Sequence, residues 1–111
     1  MPQKFPEGVI DTGYIKDFLV DAEAMGYDSA WVGEGPFSQI PNLEPIPLLS
    51  YAAALTSRIK LGVSALTSAF WNPIFLAKAA ATLDQLSNGR LILGVTVGVH
   101  RDLYPAFGLK P

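Results

Sequence analysis

Residues 72–98 read NPIFLAKAAATLDQLSNGRLILGVTVG and set out a helix, a stop and a buried strand in direct succession. Asn72 is a helix-capping residue, and Pro73 suits the first helical position, where a missing N–H does no harm. Leu76, Ala79, Ala80, Leu83 and Leu86 then recur at three- and four-residue steps, which predicts one apolar stripe. Gly89, after Asn88, stands where a left-handed C-cap ends a helix. Residues 91–95, LILGV, are nearly all apolar, the pattern of a parallel strand covered on both faces. Gly94 and Gly98 allow the backbone to approach another group closely.

The same alternation continues upstream. Asp11 or Thr12 is placed to cap a helix over 13–25, whose apolar face is Ile15, Phe18, Leu19, Ala22 and Met25, with Gly26 ending it. Residues 27–32 predict a short strand, and 33–44 a loop broken by Gly33, Gly35, Pro36 and Pro41. A second helix is expected over 45–56, with Pro45 and Pro47 in its first turn. Residues 59–63 form the next predicted strand and 64–71 the next loop. Downstream, a loop from Thr96 leads to a short helix over 101–107, weakened by Pro105 and closed by Gly108. Residues 1–12, with two prolines and a glycine, read as an irregular lead. Helices alternating with strands imply a parallel sheet with right-handed crossovers, which puts every strand's carboxyl end on one side.

Composition narrows the class. The chain has 111 residues, 50% hydrophobic and 16% charged, as for a folded domain with a real core. A net charge of −2 with no basic run argues against nucleic acid or an anionic membrane surface as partner. The absence of cysteine excludes disulfides, thiolate catalysis and cysteine-ligated metal. No stretch approaches the roughly 20 apolar residues of a membrane span, and the expected location is cytoplasmic.

Four blocks carry a family resemblance. AEAMGYDSAWVGE (22–34), LEPIPLLSYAAALTSRIKLGVSAL (43–66), ATLDQLSNGRLILGVTVG (81–98) and GVTVGVHRDLYPAFG (94–108) follow in order. They resemble the AE-LG-DS-WVGEH, EP--LL-AALT-RI-LGT, ATLD-LS-GR-LGVG and GVGVG-----FEAFG blocks of the luciferase-like monooxygenases. The resemblance covers about residues 17–111. It implies a TIM (β/α)8 barrel and a flavin cofactor, FMN or the deazaflavin coenzyme F420, with a small-molecule substrate. Such a barrel takes roughly 250 residues, so residues 1–111 are expected to be the N-terminal portion of one domain: an α/β partial barrel of three parallel strands with flanking helices. Two departures stand out. The first strand usual in the family has no convincing counterpart in 1–12, and the His that often follows the WVGE acid is here Gly35.

In barrels of this kind the chemistry sits in the loops after the strands. Glu34 is the ionisable candidate and, by resemblance, the residue that meets cofactor or substrate. The bland alternative is a carboxylate capping a neighbouring loop. Ser64 and Ala65 match the place where relatives carry a non-prolyl cis peptide behind the cofactor ring. Thr96, Val97 and Gly98 follow the third strand and by resemblance face the cofactor edge, although turn geometry and packing also explain Gly94 and Gly98. His100, the single histidine, is a solvated loop residue or a base. Arg90, at the opposite strand end, reads as structural, favouring the helix dipole and neighbouring carboxylates. No metal is expected. Two readings follow: a flavin- or F420-dependent oxidoreductase or monooxygenase, incomplete as this chain, and a catalytically silent module that works by self-association or with a completing chain.

Overall fold

The computed structural model describes residues 1–36, 40–98 and 101–110. Helix α1 (Thr12–Ala24) leads to strand β1 (Ser29–Val32), α2 (Pro45–Leu55) to β2 (Lys60–Thr67), and α3 (Pro73–Leu86) to β3 (Leu91–Thr96). Short 3-10 segments follow β2 at Ser68–Phe70 and β3 at Arg101–Phe107. The three strands are parallel in the order β1-β2-β3. The α/β alternation expected from the sequence is therefore the observed one.

Local chemistry explains the helix starts. Asp11, rather than Thr12, caps α1 by accepting from Tyr14 N at 2.8 Å. Glu44 caps α2 through Ile46 N at 2.9 Å, and Asn72 caps α3 through Ile74 N and Phe75 N at 3.0 and 3.3 Å. Asn88 and Gly89, both at positive φ, end the α3 segment as expected. Ala30, Val32, Leu61, Val63 and Leu66 turn one sheet face toward the helices, where Ile15, Leu19, Leu48, Leu49, Leu76 and Leu83 meet them.

Several expectations need correction. Leu86 does not join the α3 stripe and is 68% exposed. The inward positions are Leu76, Ala80 and Leu83, and the next four-residue step lands on Ser87, which is fully buried. Phe18 and Met25 also lie on the surface, because α1 buries only Ile15 and Leu19. Tyr27 precedes β1 and is exposed. Residues 64–67, expected in a loop, belong to β2 beyond a register shift between Val63 and Leu66. Covering of β3 on both faces does not hold: Leu93 and Val95 are exposed on this edge strand, Val95 by 57%. The closing helix is 3-10 rather than α, with Pro105 inside it.

The lead is less irregular than expected. Lys4 forms an isolated antiparallel bridge with Asn42, flanked by Phe5 N to Pro41 O and Leu43 N to Gln3 O. Residues 3–5 thereby lie against 41–43, beside the carboxyl end of β1.

Candidate functional site

The loops after the three strands do converge, and specific contacts join them. Glu34 follows β1 and is half-buried. Its Oε2 accepts from Thr67 N, at the end of β2, and its Oε1 accepts from Trp71 Nε1 at 2.8 Å. Thr67 in turn packs against Gly98, after β3: a Cβ on Gly98 would come within 2.5 Å of Thr67 Cγ2. Gly98 also has φ +84°, so the position requires glycine on two counts. Ser68 Oγ donates to Thr96 O at 3.0 Å, and Tyr104 OH to Val97 O at 2.9 Å.

Each candidate residue has a definite place. Ser64 and Ala65 lie in the last half of β2, and the peptide between them is cis. Ser64 is exposed, and no partner for its hydroxyl is found among the described residues. Thr96 ends β3 and accepts from Gly98 N through Oγ1 at 3.2 Å. Val97 is 73% exposed. His100 lies outside the described residues. Glu34 matches the loop-capping alternative, since both its oxygens take N–H groups of this chain. Gly94 sits close to the neighbouring strand: a Cβ there would fall 2.5 Å from Val63 O. That favours the packing explanation for this glycine.

A cleft of about 340 Å³ opens beside Glu34, lined also by Asn42, Glu44, Phe70, Trp71 and Phe107. Glu44 was not anticipated as a site residue. Burial pushes its carboxyl above the usual range; the Ile46 N–H opposes this, and the nearby Glu34 charge reinforces it. Gln3 was missed as well. Its Nε2 donates to Gly33 O at 2.5 Å and Leu43 O at 2.8 Å, and its Oε1 accepts from Gly33 N at 3.1 Å. Nothing in the local sequence of the lead signals a contact 30 residues away.

The other sheet end is built differently. Glu23 accepts from Ser57 N, Arg58 N and Ile59 N, the shortest at 2.6 Å, and from Ser57 Oγ. Desolvation raises its pKa, but the Ile59, Arg58 and Ser57 hydrogen bonds outweigh that and hold it down at about 2. Arg90 is buried. It donates from its side chain to Ser87 O, Thr56 Oγ1, Ile59 O, Ala53 O and Thr56 O at 2.6–3.1 Å. Its expected structural role is seen, but these partners are carbonyls and a hydroxyl rather than carboxylates.

Alternation along β2 and β3 sets Gly62, Ser64, Ile92, Gly94 and Thr96 on one face, and the Trp31 ring of β1 lies over Gly62. No glycine-rich phosphate cradle is found among the described residues. Nor do any three His, Cys, Asp or Glu side chains among them come together around a metal position. No helix among them is long and apolar enough to cross a membrane.

Comparison with known proteins agrees with the geometry. The family model for luciferase-like monooxygenases matches residues 3–111. An F420-dependent glucose-6-phosphate dehydrogenase of Kineococcus radiotolerans is 42% identical over 91 residues, 78% of this chain and 27% of that protein. A pyrimidine monooxygenase of Rhizobium rhizogenes is 41% identical over 104 residues, 86% of this chain and 28% of that protein. Among solved structures, the oxygenating constituent of 3,6-diketocamphane monooxygenase from Pseudomonas putida, in complex with FMN, superimposes with a TM-score of 0.81 at 25% identity. It covers 96% of this chain, which spans 30% of it. The coenzyme F420-dependent tetrahydromethanopterin reductase of Methanopyrus kandleri gives 0.73 at 28% identity, covering 98% of this chain and 31% of its own. The chain thus spans under a third of the length of these relatives.

Proposed function

Because this chain belongs to the luciferase-like monooxygenase family, we propose that the carboxyl-end face of its sheet is the cofactor wall of an oxidoreductase or monooxygenase that uses FMN or coenzyme F420 on a small-molecule substrate. In this reading residues 1–111 are the N-terminal portion of the barrel domain, and the protein is cytoplasmic. Ser64, Ala65, Thr96, Val97 and Gly98 line the wall, and Glu34 is the acid at its rim. Bound there, the cofactor supplies the redox chemistry. The chain supplies shape and hydrogen bonds: the Ser64 hydroxyl has no partner among the described residues and is available to donate. The observation that carries the reading is the interlock of all three strand ends, Glu34 to Thr67 and Thr67 to Gly98.

The test is a chimera of this chain with the part of the Kineococcus relative that it does not match, titrated with FMN and with coenzyme F420. Micromolar binding of one of them is expected. The 111-residue chain alone is expected to bind at millimolar concentration or weaker, because charge-assisted phosphate contacts are individually strong and its described residues show no cradle for them. A folded chimera that binds neither cofactor overturns the assignment.

A second reading has its own support. β3 is an edge strand with Leu93, Val95 and Val97 exposed beside it. Unpaired edges with apolar side chains invite pairing with another chain. If the chain serves as an interaction module, light scattering shows an oligomer that Val95→Lys dissociates. A monodisperse monomer overturns that reading.

A further inference from the structure

We propose that Glu34 is a positioning residue: preset by Gln3, its carboxylate holds residues 67–71 in place as the rim of the strand-end face. The proposal rests on the reading of that face as a cofactor wall only for what the rim serves; the clasp itself is a property of the folded chain.

The clasp has three parts. Gln3 engages both backbone groups of Gly33, N–H and C=O, and ties them to Leu43 O. Gly33 immediately precedes Glu34, so the lead fixes the direction in which the carboxylate leaves β1. The carboxylate then divides its oxygens. Oε2 takes the N–H of Thr67 and Oε1 takes the indole N–H of Trp71. These two groups bracket the 3-10 segment Ser68–Phe70, which has no side-chain cap of its own. An acceptor carrying full charge makes such bonds stronger than a neutral one would.

The bracketed segment carries the third strand end with it. Ser68 reaches Thr96 O. Phe70 stacks on Phe107 at 4.2 Å with the planes 14° apart, and meets Tyr104 edge-on at 5.8 Å. Order thus passes from the lead through Glu34 to the segment after β2 and on to the segment after β3. An acid spent in this way governs the shape of the site without touching what binds there.

Amide exchange and the indole N–H resonance of the 111-residue chain test this, with no cofactor present. The Leu61 amide, bonded to Arg90 O at the other sheet end, serves as reference. In Glu34→Ala, exchange at Thr67 N–H should accelerate at least tenfold and the Trp71 indole resonance should move, while Leu61 keeps its protection. Glu34→Gln guards against a variant that fails to fold. Its terminal amide offers one acceptor oxygen in place of two, so one of the two N–H groups should lose protection or shift. Unchanged exchange at Thr67 together with an unchanged indole resonance, in either folded variant, overturns the clasp. A failure of the chimera to bind cofactor would leave this result standing, so the two readings fail separately.

Discussion

The two ends of the same three strands are built on opposite plans. At the amino end, Glu23 and Arg90 face backbone almost exclusively: Glu23 takes three N–H groups of the turn before β2, and Arg90 gives its donors to four carbonyls and one hydroxyl. At the carboxyl end, Glu34 spends its oxygens on the Thr67 N–H and the Trp71 indole, but Glu44 lines a cleft, Ser64 and Val97 are exposed, and no partner for the Ser64 hydroxyl is found among the described residues. A charge matched by backbone on every side is committed to holding the chain together. Groups left with free valence are available to a ligand. The α/β barrels in general divide their labour in this way, with stability at one strand end and chemistry at the other.

The sharpest way to break this comparison is Arg90→Met. Arg90 is only 8% exposed, and its loss strands several buried carbonyls. Each unsatisfied buried group costs roughly 1–3 kcal/mol, so urea denaturation should show a loss of about 3 kcal/mol or more. A loss below about 1 kcal/mol would mean that the amino end is not the structural end.

Glu23→Gln should cost less, about 1–2 kcal/mol at neutral pH, because Glu23 is only half-buried. Its pH signature is the better probe. The folded pKa of about 2 lies below the ordinary 4.5, so the stabilisation is complete above about 4.5 and is lost as pH falls toward 2. Unfolding free energies measured across this window should fall in the wild type by more than in Glu23→Gln. Parallel curves would remove Glu23 from the account.

Two glycines compare the ends directly. Gly89 and Gly98 both have positive φ, +76° and +84°, but only Gly98 has a neighbour in the way of a Cβ. Gly89→Ala should cost about 1 kcal/mol for the backbone conformation alone. Gly98→Ala should cost more and should also disturb the Thr67 amide resonance; equal costs would show that Thr67 yields freely. The smallest effect is expected for Leu86→Lys. The residue is exposed, so thermal unfolding should change by no more than about 0.5 kcal/mol, whereas a core position would lose several.

Much of the fold was legible because its signals are local. The Asn72 cap, the Asn88–Gly89 stop and the order of helices and strands all act over a few residues, where hydrogen bonds and backbone sterics leave few alternatives. The errors came where a position's environment depends on a distant partner. Leu86 fits the spacing rule, yet the next inward position of α3 is Ser87, whose hydroxyl accepts from Arg90 N at 3.2 Å. Glu34 was legible as the candidate acid after β1, but not the bonds it makes to Thr67 and Trp71, 33 and 37 residues further along.

The sequence by itself determined the parallel α/β class, the family through its four ordered blocks, and the side of the sheet where the loops meet. These follow from periodicity and right-handed crossover, which need no knowledge of what touches what. The tertiary structure alone decided which charges are spent and which are free. A carboxylate or guanidinium is described identically in sequence whether it meets backbone or solvent. Only the packing of segments some 30 residues apart, Gln3 on Gly33, Glu23 on the turn at Ser57 and Arg90 on Thr56, shows where its hydrogen bonds go.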